Sequence, residues 1–483
     1  MAPLLGVPMR ITRLQIERFR SIKSLDFQVP QICALVGPNN AGKSNILEAI
    51  RRVLIADYGP RASTFAETDV HRRNADDDIE ICLTFDPQFE FRKIQKADPV
   101  SIERLRFCWS RYQRGEKKGL RRLEQECLKP DGAVPTVQTS YGRPGQRPNF
   151  EQVIGIPQEI RDQIPFIYIG TDRSLREQLP SARWSMLRRI FEDIDHGLHA
   201  PAELVEVRSP AGVERVQRAD RFKQLIREAM DLLRTGEFSE VEAAIKKHAL
   251  DHLGLDGEDD AIDLFFSPMD SMEFYKSLVL IVKEGEFEVN ASEMGEGMQN
   301  AIVLAILRAF EETKRKGAII LIEEPEMFLH PQMQRSLHST LERLGETNQV
   351  IYTTHSPHFV SVPEFRSVAI ARKDKDLGTT ITQSDLKVDA AKLERLRQMF
   401  VSDPAELFFA NRVLVVEGDT EALVAPVFAE RHRIDLDSAG GTVIGVGGKR
   451  ALLDYAELAI SFGIATGVVY DCDKADEDSP LSS

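Results

Sequence analysis

The chain has 483 residues, enough for two to three domains with large cores. Its 42% hydrophobic and 29% charged residues are typical of a soluble globular protein, and no apolar run approaches the roughly 18 residues of a membrane span. We therefore expect a cytoplasmic protein with no membrane partner. The five cysteines include no C-x-x-C pair, which argues against a zinc ribbon or a disulfide framework. A formal net charge of −14 means that any nucleic-acid surface must be local.

The N-terminal region predicts a nucleotide-binding core. Apolar alternation predicts strands within residues 11–19 and 25–29, and a buried strand follows at 32–36. Residues 37–44 then fit G-x-x-x-x-G-K-[ST], in which backbone N–H groups surround phosphates, the lysine reaches the β and γ oxygens and the hydroxyl ligates Mg²⁺. Helical periodicity follows, so a helix N-terminus faces the nucleotide, and we expect the lysine to be exposed. The predicted ATP-binding residues here are Gly37, Asn39, Asn40, Gly42, Lys43 and Ser44.

The middle of the chain changes character. After a predicted strand at 79–85, residues from about 95 to 260 carry many charges, and helical periodicity within 222–233 favours a mostly helical insertion. His248 and His252 have the spacing of two metal ligands on one helix face, but without a third ligand a surface helix is the better interpretation. A dense basic run is a candidate DNA surface, although such runs are more often solvated faces. It consists of Arg104, Arg106, Arg111, Arg114, Lys117, Lys118, Arg121 and Arg122.

The core resumes with a predicted strand at 262–266 and a hairpin that pairs 278–282 with 287–289. Ser292 and Gly295 then stand at the start of an apolar helix, and the free N–H groups of such a start suit an anion.

Two further strands carry polar residues at their ends. The strand at 318–322 ends in Glu323 and Glu324, which fits the second nucleotide motif, acids beside a phosphate loop. The strand at 349–353 leads to His355. A lone histidine is often an ordinary hydrogen-bonded residue, but the order of these motifs favours a functional role.

The last hundred residues predict a second domain of alternating strands and helices. A strand at 412–416, a strand at 442–446 and a strand at 464–470 are separated by helical patterns. Acids follow the first and the last of these strands, and carboxylate oxygens suit Mg²⁺ or Mn²⁺ rather than Zn²⁺. The candidate metal ligands are Glu417, Glu421, Asp471 and Asp473.

Two groups of motifs resemble known families. Phe-Arg-Ser-Ile at 19–22 and Val-Gly-Pro-Asn-Asn at 36–40 resemble the opening of the ABC-class ATPase heads of the structural-maintenance-of-chromosomes and RecF group. Glu-Gly followed by D-x-D resembles the TOPRIM fold, and residues 415–421 are close to its version in the overcoming lysogenization defect (OLD) family, which includes the nuclease subunit of the Gabija anti-phage system. The resemblance covers about residues 10–90 and 262–478.

The resemblance implies an α/β protein with an ABC-type ATPase domain over 1–385, which contains the insertion at about 95–260 as a dimerisation region, and a TOPRIM domain over 386–483. The family continues beyond D-x-D with a helix, a strand and a catalytic lysine, so the C-terminal part of this domain is expected to be missing.

The resemblance also implies the role of each candidate residue. Glu323 supports Mg²⁺, Glu324 polarises the attacking water, and His355 contacts the γ-phosphate as a switch. Ser292 and Gly295 hold the ATP of an opposite protomer, which implies a homodimer or higher oligomer. In the second domain, Glu417 and Asp471 are the expected catalytic carboxylates of a site that uses Mg²⁺ or Mn²⁺.

The function expected from this resemblance is ATP-regulated DNA cleavage in anti-phage defence or DNA processing, with DNA as substrate and a helicase or another defence protein as partner. The alternative is a RecF-like DNA-binding clamp for DNA repair, in which ATP drives dimerisation and the TOPRIM domain is only structural. A primase or topoisomerase is weaker, because the sequence contains no zinc ribbon.

Overall fold

The computed structural model of the chain describes residues 9–55, 65–74, 76–141, 147–171, 175–182, 185–209, 212–253, 270–284, 287–312, 317–362, 364–398 and 404–471. Two compact units are present. The larger comprises Met1–Asp172 and Glu311–Ser483, and the smaller is Arg173–Phe310. Within the described ranges, no helix combines the length and apolar character needed to cross a bilayer.

The elements follow one another through the larger unit, the smaller unit and the larger unit again. The first part of the larger unit contains β1 (Arg10–Phe19), β2 (Ile22–Gln28), β3 (Ile32–Val36), α1 (Lys43–Ile55), β4 (Ile79–Phe91), β5 (Val100–Arg111), β6 (Arg121–Leu128), β7 (Thr136–Ser140), β8 (Asn149–Gln152), α2 (Gln158–Arg161) and β9 (Phe166–Ile169). The smaller unit contains α3 (Leu175–Gln178), α4 (Met186–Leu198), β10 (Leu204–Ser209), β11 (Gly212–Gln217), α5 (Arg218–Leu232), α6 (Gly236–Leu253), α7 (Ser271–Lys276), β12 (Ile281–Glu284), β13 (Phe287–Asn290) and all but the last two residues of α8 (Glu296–Glu312). The second part of the larger unit contains β14 (Ile319–Glu323), α9 (Pro331–Gly345), β15 (Gln349–Thr354), β16 (Val368–Asp374), β17 (Gly378–Thr382), α10 (Ala390–Gln398), β18 (Arg412–Val416), α11 (Asp419–Arg431), β19 (Gly441–Gly445), α12 (Lys449–Ser461) and β20 (Ala465–Val469).

The larger unit is organised around a sheet with the strand order β6-β5-β4-β1-β2-β17-β16-β3-β15-β14-β9. Strands β16, β3, β15, β14 and β9 run parallel, whereas the strands from β6 to β17 pair antiparallel. Every residue of β14 and β15 is buried, as expected for parallel strands that are covered on both faces. The α/β class and the predicted strands around the phosphate loop are therefore confirmed.

The segment after residue 95 differs from the predicted helical insertion. Residues 100–128 form β5 and β6, which extend the antiparallel side of the large sheet, and the separate compact unit begins only at Arg173. The physical reason lies in β5, where the buried Leu105, Phe107 and Trp109 alternate with charged or half-buried residues. This period of two is that of a strand with one buried face, and the many charges concealed it.

The smaller unit contains the helices expected for the later part of the insertion. Helix α5 carries the predicted periodicity, and α6 includes the positions of both histidines. Phe191 of α4 stacks on Tyr275 of α7 with ring centroids 5.0 Å apart. The predicted hairpin is present as β12 and β13, in which Val282 pairs with Val289. Its first strand begins at Ile281 rather than at residue 278 and continues through Lys283 and Glu284, which were predicted to belong to the turn. The predicted strand at 262–266 lies outside the described residues.

The C-terminal part of the larger unit forms a parallel three-stranded sheet in the order β19-β18-β20, with α11 and α12 as its connections. Each of the three predicted strands is confirmed to within one or two residues. Because β18 is central and pairs in register with β20, residues that follow these two strands emerge side by side.

The close approach of β17 to the β1–β2 turn gives a test of the fold. Gly378 has φ +76°, and a Cβ there would lie 2.1 Å from the backbone oxygen of Ser21. Gly378→Ala should destabilise the protein by about 1–3 kcal/mol more than Gly119→Ala, since overpacking is added to the left-handed strain that both substitutions share. Gly119 has φ +86° with nothing within 4 Å, so it is the matched control in thermal unfolding. Equal losses would contradict the described packing.

Candidate functional site

The predicted nucleotide motifs lie together because three parallel strands end at one edge of the large sheet. Val36, the last residue of β3, pairs with Thr354 of β15, and Thr353 pairs with Glu323 of β14. The phosphate loop follows β3, His355 follows β15, and Glu324 follows β14. Ligand sites in open α/β sheets are found at such carboxyl ends.

The phosphate loop adopts backbone conformations that favour glycine. Gly37 has φ +142° and Gly42 has φ +101°, and a Cβ on Gly37 would lie 2.2 Å from the backbone oxygen of Ala371. Asn40 is also left-handed, with φ +66°, and both Asn39 and Asn40 are exposed. The loop leads directly into α1, so the N–H groups of its first turn point towards the loop.

A chain of polar side chains fixes this loop to neighbouring strands. The Thr379 hydroxyl donates to the backbone oxygen of Ala41 at 2.9 Å and lies 2.7 Å from the Ser21 hydroxyl. Asn45 of α1 donates to the same Ser21 hydroxyl at 2.7 Å. Strand β17, the β1–β2 turn and α1 therefore jointly fix the position of the loop. These supporting contacts were not predicted from the sequence motif.

Lys43 is buried, with 5% of its surface exposed, so the expectation of an exposed loop lysine is wrong. As the first residue of α1 it turns back under the loop, where Nζ donates to the backbone oxygens of Gly37 at 2.8 Å and Pro38 at 3.1 Å. Burial lowers the pKa of Lys43 to about 8, while the charges of Glu324 and Glu326 act in the opposite direction. This buried ammonium is suited to binding phosphate oxygens.

Glu323 occupies a buried position beside the loop. Its Oε1 accepts a hydrogen bond from the Tyr168 hydroxyl at 2.9 Å, and Ser44 also hydrogen-bonds to its carboxyl group. Burial raises the pKa of Glu323, whereas these two hydrogen bonds favour the carboxylate. The Ser44 hydroxyl and the Glu323 carboxylate are hard oxygen donors placed together, which fits a magnesium ion.

Glu324, His355 and Lys43 form a connected polar cluster. The Glu324 carboxylate lies 3.2 Å from His355 Nε2, and Lys43 Nζ lies 3.0 Å from the same nitrogen. Glu324 has φ +43°, a conformation that a non-glycine residue rarely adopts and that is concentrated at functional sites. All three predicted residues are therefore in contact.

Two further residues of this site had no predicted role. Tyr168 of β9 donates a hydrogen bond from its hydroxyl to the Glu323 carboxylate. Glu326 accepts hydrogen bonds from the Thr354 hydroxyl at 2.8 Å and from the backbone N–H of His355. Glu326 could have been noticed in the sequence, because it is the third acid within residues 323–326. The contact of Tyr168 with Glu323 could not, because it depends on the pairing of β9 with β14.

The proposed signature residues belong to the smaller unit. Ser292 lies in a short 3₁₀ turn before α8, and its N–H donates to the Asn290 side chain at 2.9 Å. Gly295 is exposed immediately before α8, and the Gln299 side chain donates to the backbone oxygens of Ser292 and Met294. The structure thus confirms a helix start at this motif.

In the C-terminal sheet, the structure brings the Glu417 carboxylate to the backbone of Asp471, so two of the four candidate residues are neighbours. Oε2 of Glu417 accepts a hydrogen bond from the backbone N–H of Asp471 at 3.2 Å. Glu421 instead accepts from the backbone N–H of Gly418 at 3.1 Å, at the start of α11, and Asp473 lies outside the described residues. Among the described residues, no three His, Cys, Asp or Glu side chains are grouped as a metal site. The side chains of Glu417 and Asp471 carry carboxylate oxygens, the donor type that Mg²⁺ and Mn²⁺ prefer.

The basic run lies on β5, β6 and their connection, and many of its charges are balanced. Arg106 pairs with Glu126, Arg111 pairs with Glu67 at 2.8 Å, and Arg121 is 3.1 Å from both Glu67 and Asp78. The solvated-face interpretation is therefore favoured over a DNA-contacting surface for these arginines.

Comparison with known proteins agrees with this arrangement. Residues 9–129 and 149–360 match the family described as "AAA ATPase domain", and residues 408–473 match the "Overcoming lysogenization defect protein-like, TOPRIM domain". The chain is 30% identical over 486 residues to the OLD nuclease of Thermus scotoductus, with 97% of this chain and 84% of that protein covered. It is 25% identical to the Old nuclease of Escherichia phage P2, covering 96% and 77% of the two chains, and 21% identical to endonuclease GajA of Bacillus cereus, covering 91% and 71%.

The match to the ATPase family spans more than half of the chain, and the Thermus relative is matched over most of both lengths. The phosphate loop, the acids after β14 and the candidate acids after β18 and β20 lie in the regions that these families match. The chain therefore belongs to the OLD nuclease family, with an AAA ATPase domain followed by a TOPRIM domain.

Proposed function

We propose that this protein is an ATP-hydrolysing, divalent-metal-dependent DNA endonuclease. The observation that carries the proposal is the contact series in which His355 Nε2 lies 3.0 Å from Lys43 Nζ and 3.2 Å from the Glu324 carboxylate. This series stands at the carboxyl edge of the ATPase sheet, in a chain whose relatives are named nucleases.

The ATPase residues have distinct tasks in this proposal. Lys43 supplies a fixed positive charge to the phosphates, and the N-terminus of α1 adds its N–H groups. The Glu324 carboxylate accepts a proton from the attacking water, while His355 orients that carboxylate and faces the terminal phosphate. Ser44 and Glu323 supply oxygen ligands to a cation. We also propose that Ser292 and Gly295 contact the nucleotide of a second copy, since the signature turn presents Gly295 to solvent.

The nuclease residues in this proposal are Glu417 and Asp471, which lie beside each other at the ends of β18 and β20. Glu421 and Asp473 are proposed as further ligands. A bound divalent cation would lower the pKa of the attacking water and stabilise the leaving oxygen of a phosphodiester.

A RecF-like clamp is a second candidate, and one observation favours it. The carboxylate of Glu421 is engaged with the backbone N–H of Gly418, so this proposed ligand serves as a helix cap. In a clamp, ATP would drive dimerisation on DNA, and the TOPRIM domain would be structural and would not cleave the DNA. Incubation of plasmid DNA with Mg²⁺ or Mn²⁺ distinguishes the two functions, because a clamp shifts the plasmid mobility and a nuclease nicks or linearises it.

Lys43→Ala should lower ATP affinity and turnover by at least about tenfold, because the variant lacks the charge that binds the phosphates. Lys23→Ala, at an exposed position on β2, is the control and should match wild type. Isothermal titration with ATP, ATPase assays and thermal unfolding measure binding, turnover and folding. Normal turnover by a folded Lys43→Ala variant would contradict the site assignment.

Glu324→Gln should still bind ATP but hydrolyse it roughly 10²–10⁴-fold more slowly, because an amide does not accept the proton from water. We expect the bound nucleotide to hold two copies together, so sedimentation velocity with ATP should show a larger dimer fraction than wild type. Glu364→Gln, at an exposed turn position, is the control. Rapid hydrolysis by Glu324→Gln would exclude this carboxylate as the general base.

Asp471→Ala should eliminate metal-dependent DNA cleavage while ATP hydrolysis stays within about threefold of wild type, because the substitution removes one cation ligand of the nuclease site. DNA binding should persist, since phosphate contacts by basic residues supply most of the affinity. Asp437→Ala, at an exposed turn of the same domain, is the control. Nicking, ATPase rate and DNA retention are measured on one preparation. Cleavage at the wild-type rate by Asp471→Ala would contradict the role of this residue.

A further inference from the structure

Glu326 occupies an unusual place in the turn that follows β14. The ladder between β14 and β15 ends with the pair Glu323 and Thr353, so His355 lies beyond the β14 strand. One Glu326 oxygen, Oε1, accepts both the Thr354 hydroxyl and the backbone N–H of His355. The carboxylate therefore takes the place of a strand carbonyl where the ladder with β14 has ended.

The turn that carries Glu326 is itself held in a defined conformation. Glu324 and Phe328 both have positive φ, at +43° and +62°. The backbone N–H of Glu324 donates to the backbone oxygen of Thr353 at 3.0 Å. Two further backbone hydrogen bonds close the turn: the N–H of Met327 donates to the oxygen of Glu324 at 3.1 Å, and the N–H of Leu329 donates to the oxygen of Glu326 at 3.1 Å. Strained conformations of this kind persist only where surrounding contacts determine them. The position of the Glu326 carboxylate is thus defined relative to the end of β15.

These contacts with Glu326 determine where the His355 side chain lies. Its Nε2 lies 3.2 Å from Glu324 and 3.0 Å from Lys43, so a displacement of the His355 backbone would change both distances together. Oε2 of Glu326 is buried and has no hydrogen-bond partner among the described residues, so the two bonds to Oε1 account for its described hydrogen bonding. These bonds join the turn after β14 to the residue that contacts the proposed base.

We propose that Glu326 is a positioning residue of the ATPase site, whose carboxylate fixes the backbone of His355 and through it the orientation of His355 towards Glu324 and Lys43. This inference rests on the proposed ATP hydrolysis and adds a residue that acts through His355 rather than on the nucleotide. The function of Oε1 is to accept two hydrogen bonds, so a neutral group with a carbonyl oxygen at the same reach replaces it.

The test compares Glu326→Ala, which removes the acceptor, with Glu326→Gln, which keeps a carbonyl oxygen of the same length. Glu326→Ala should lower the ATPase kcat roughly 10–100-fold, because a displacement of a catalytic side chain by about 1 Å can slow a reaction by up to about 10²-fold. The Kd for ATP should change by less than about threefold, since Lys43 and the loop remain in place. Glu326→Gln should recover at least about a third of the wild-type rate. Glu346→Ala, at an exposed position after α9, is the control.

A second readout does not depend on catalysis. Histidine labelled with carbon-13 at ring Cε1 alone gives one NMR signal for each of the ten histidines, and His355→Gln identifies the signal of His355. This signal should move in Glu326→Ala and remain near its wild-type position in Glu326→Gln. If the wild-type protein does not hydrolyse ATP, the proposed function fails, and the NMR comparison alone decides whether Glu326 positions His355.

Three results would overturn the inference. These are an Ala variant whose rate stays within about twofold of wild type, a Gln variant as slow as the Ala variant, and an unmoved His355 signal in Glu326→Ala. If Glu326→Ala does not fold, Thr354→Val replaces it, because this variant removes the 2.8 Å bond to Glu326, together with the 3.0 Å bond from the Ser356 N–H, and leaves the bond from His355. Its kcat should fall several-fold with a shifted His355 signal, and a normal rate with an unmoved signal would overturn the inference.

Discussion

The parallel alignment of β3, β15 and β14 is the constraint on which the ATPase site depends. Because side chains alternate between the faces of a strand, a shift of β15 by one residue would turn His355 away from Lys43. The register is held at the start of β15 as well. The buried Gln349 side chain accepts from the Ile11 N–H at 2.8 Å and donates to the Ile11 oxygen at 2.7 Å, which ties β15 to β1. Polar groups at both ends of one strand thus keep the site residues in register.

The ATPase site contains a buried lysine and a buried glutamate, and burial disfavours the charged form of each. The pKa of Lys43 is lowered and that of Glu323 is raised, and in both cases burial is the largest cause. Hydrogen bonds from Tyr168 and Ser44 favour the charged form of Glu323, and carbonyl oxygens accept from Lys43. Charges held this way are already desolvated and oriented before a substrate arrives, which is the arrangement that makes electrostatic stabilisation of a reaction effective.

Strand β16 contacts both the phosphate loop and the TOPRIM domain. The backbone oxygen of Ala371 faces Gly37, and the next residue, Arg372, donates to the backbone oxygen of Phe462 at 2.9 Å at the end of α12. Lys392 of α10 adds an ion pair with Asp454 of α12 at 3.2 Å. Both contacts are stabilising, because a helix C-terminus and a carboxylate each carry negative charge that attracts a cationic side chain. One strand of the ATPase sheet therefore contacts both the phosphate loop and the last turn of α12.

The motifs carried by contiguous residues can be predicted from the amino-acid sequence alone. The phosphate loop at 37–44, the acids after residue 322, His355, and the carboxylates after β18 and β20 are local patterns, and the strands before them have a clear apolar character. The membership of β5 and β6 in the large sheet is evident from the three-dimensional structure and not from the sequence, because charges on the exposed face concealed the alternation around Phe107. The same is true of the burial of Lys43 and of the support that Tyr168 and Glu326 give to the site. Their partners are 155 residues away for Tyr168 and 28 or 29 for Glu326, and burial and hydrogen bonding at such separations depend on strand order rather than on local sequence.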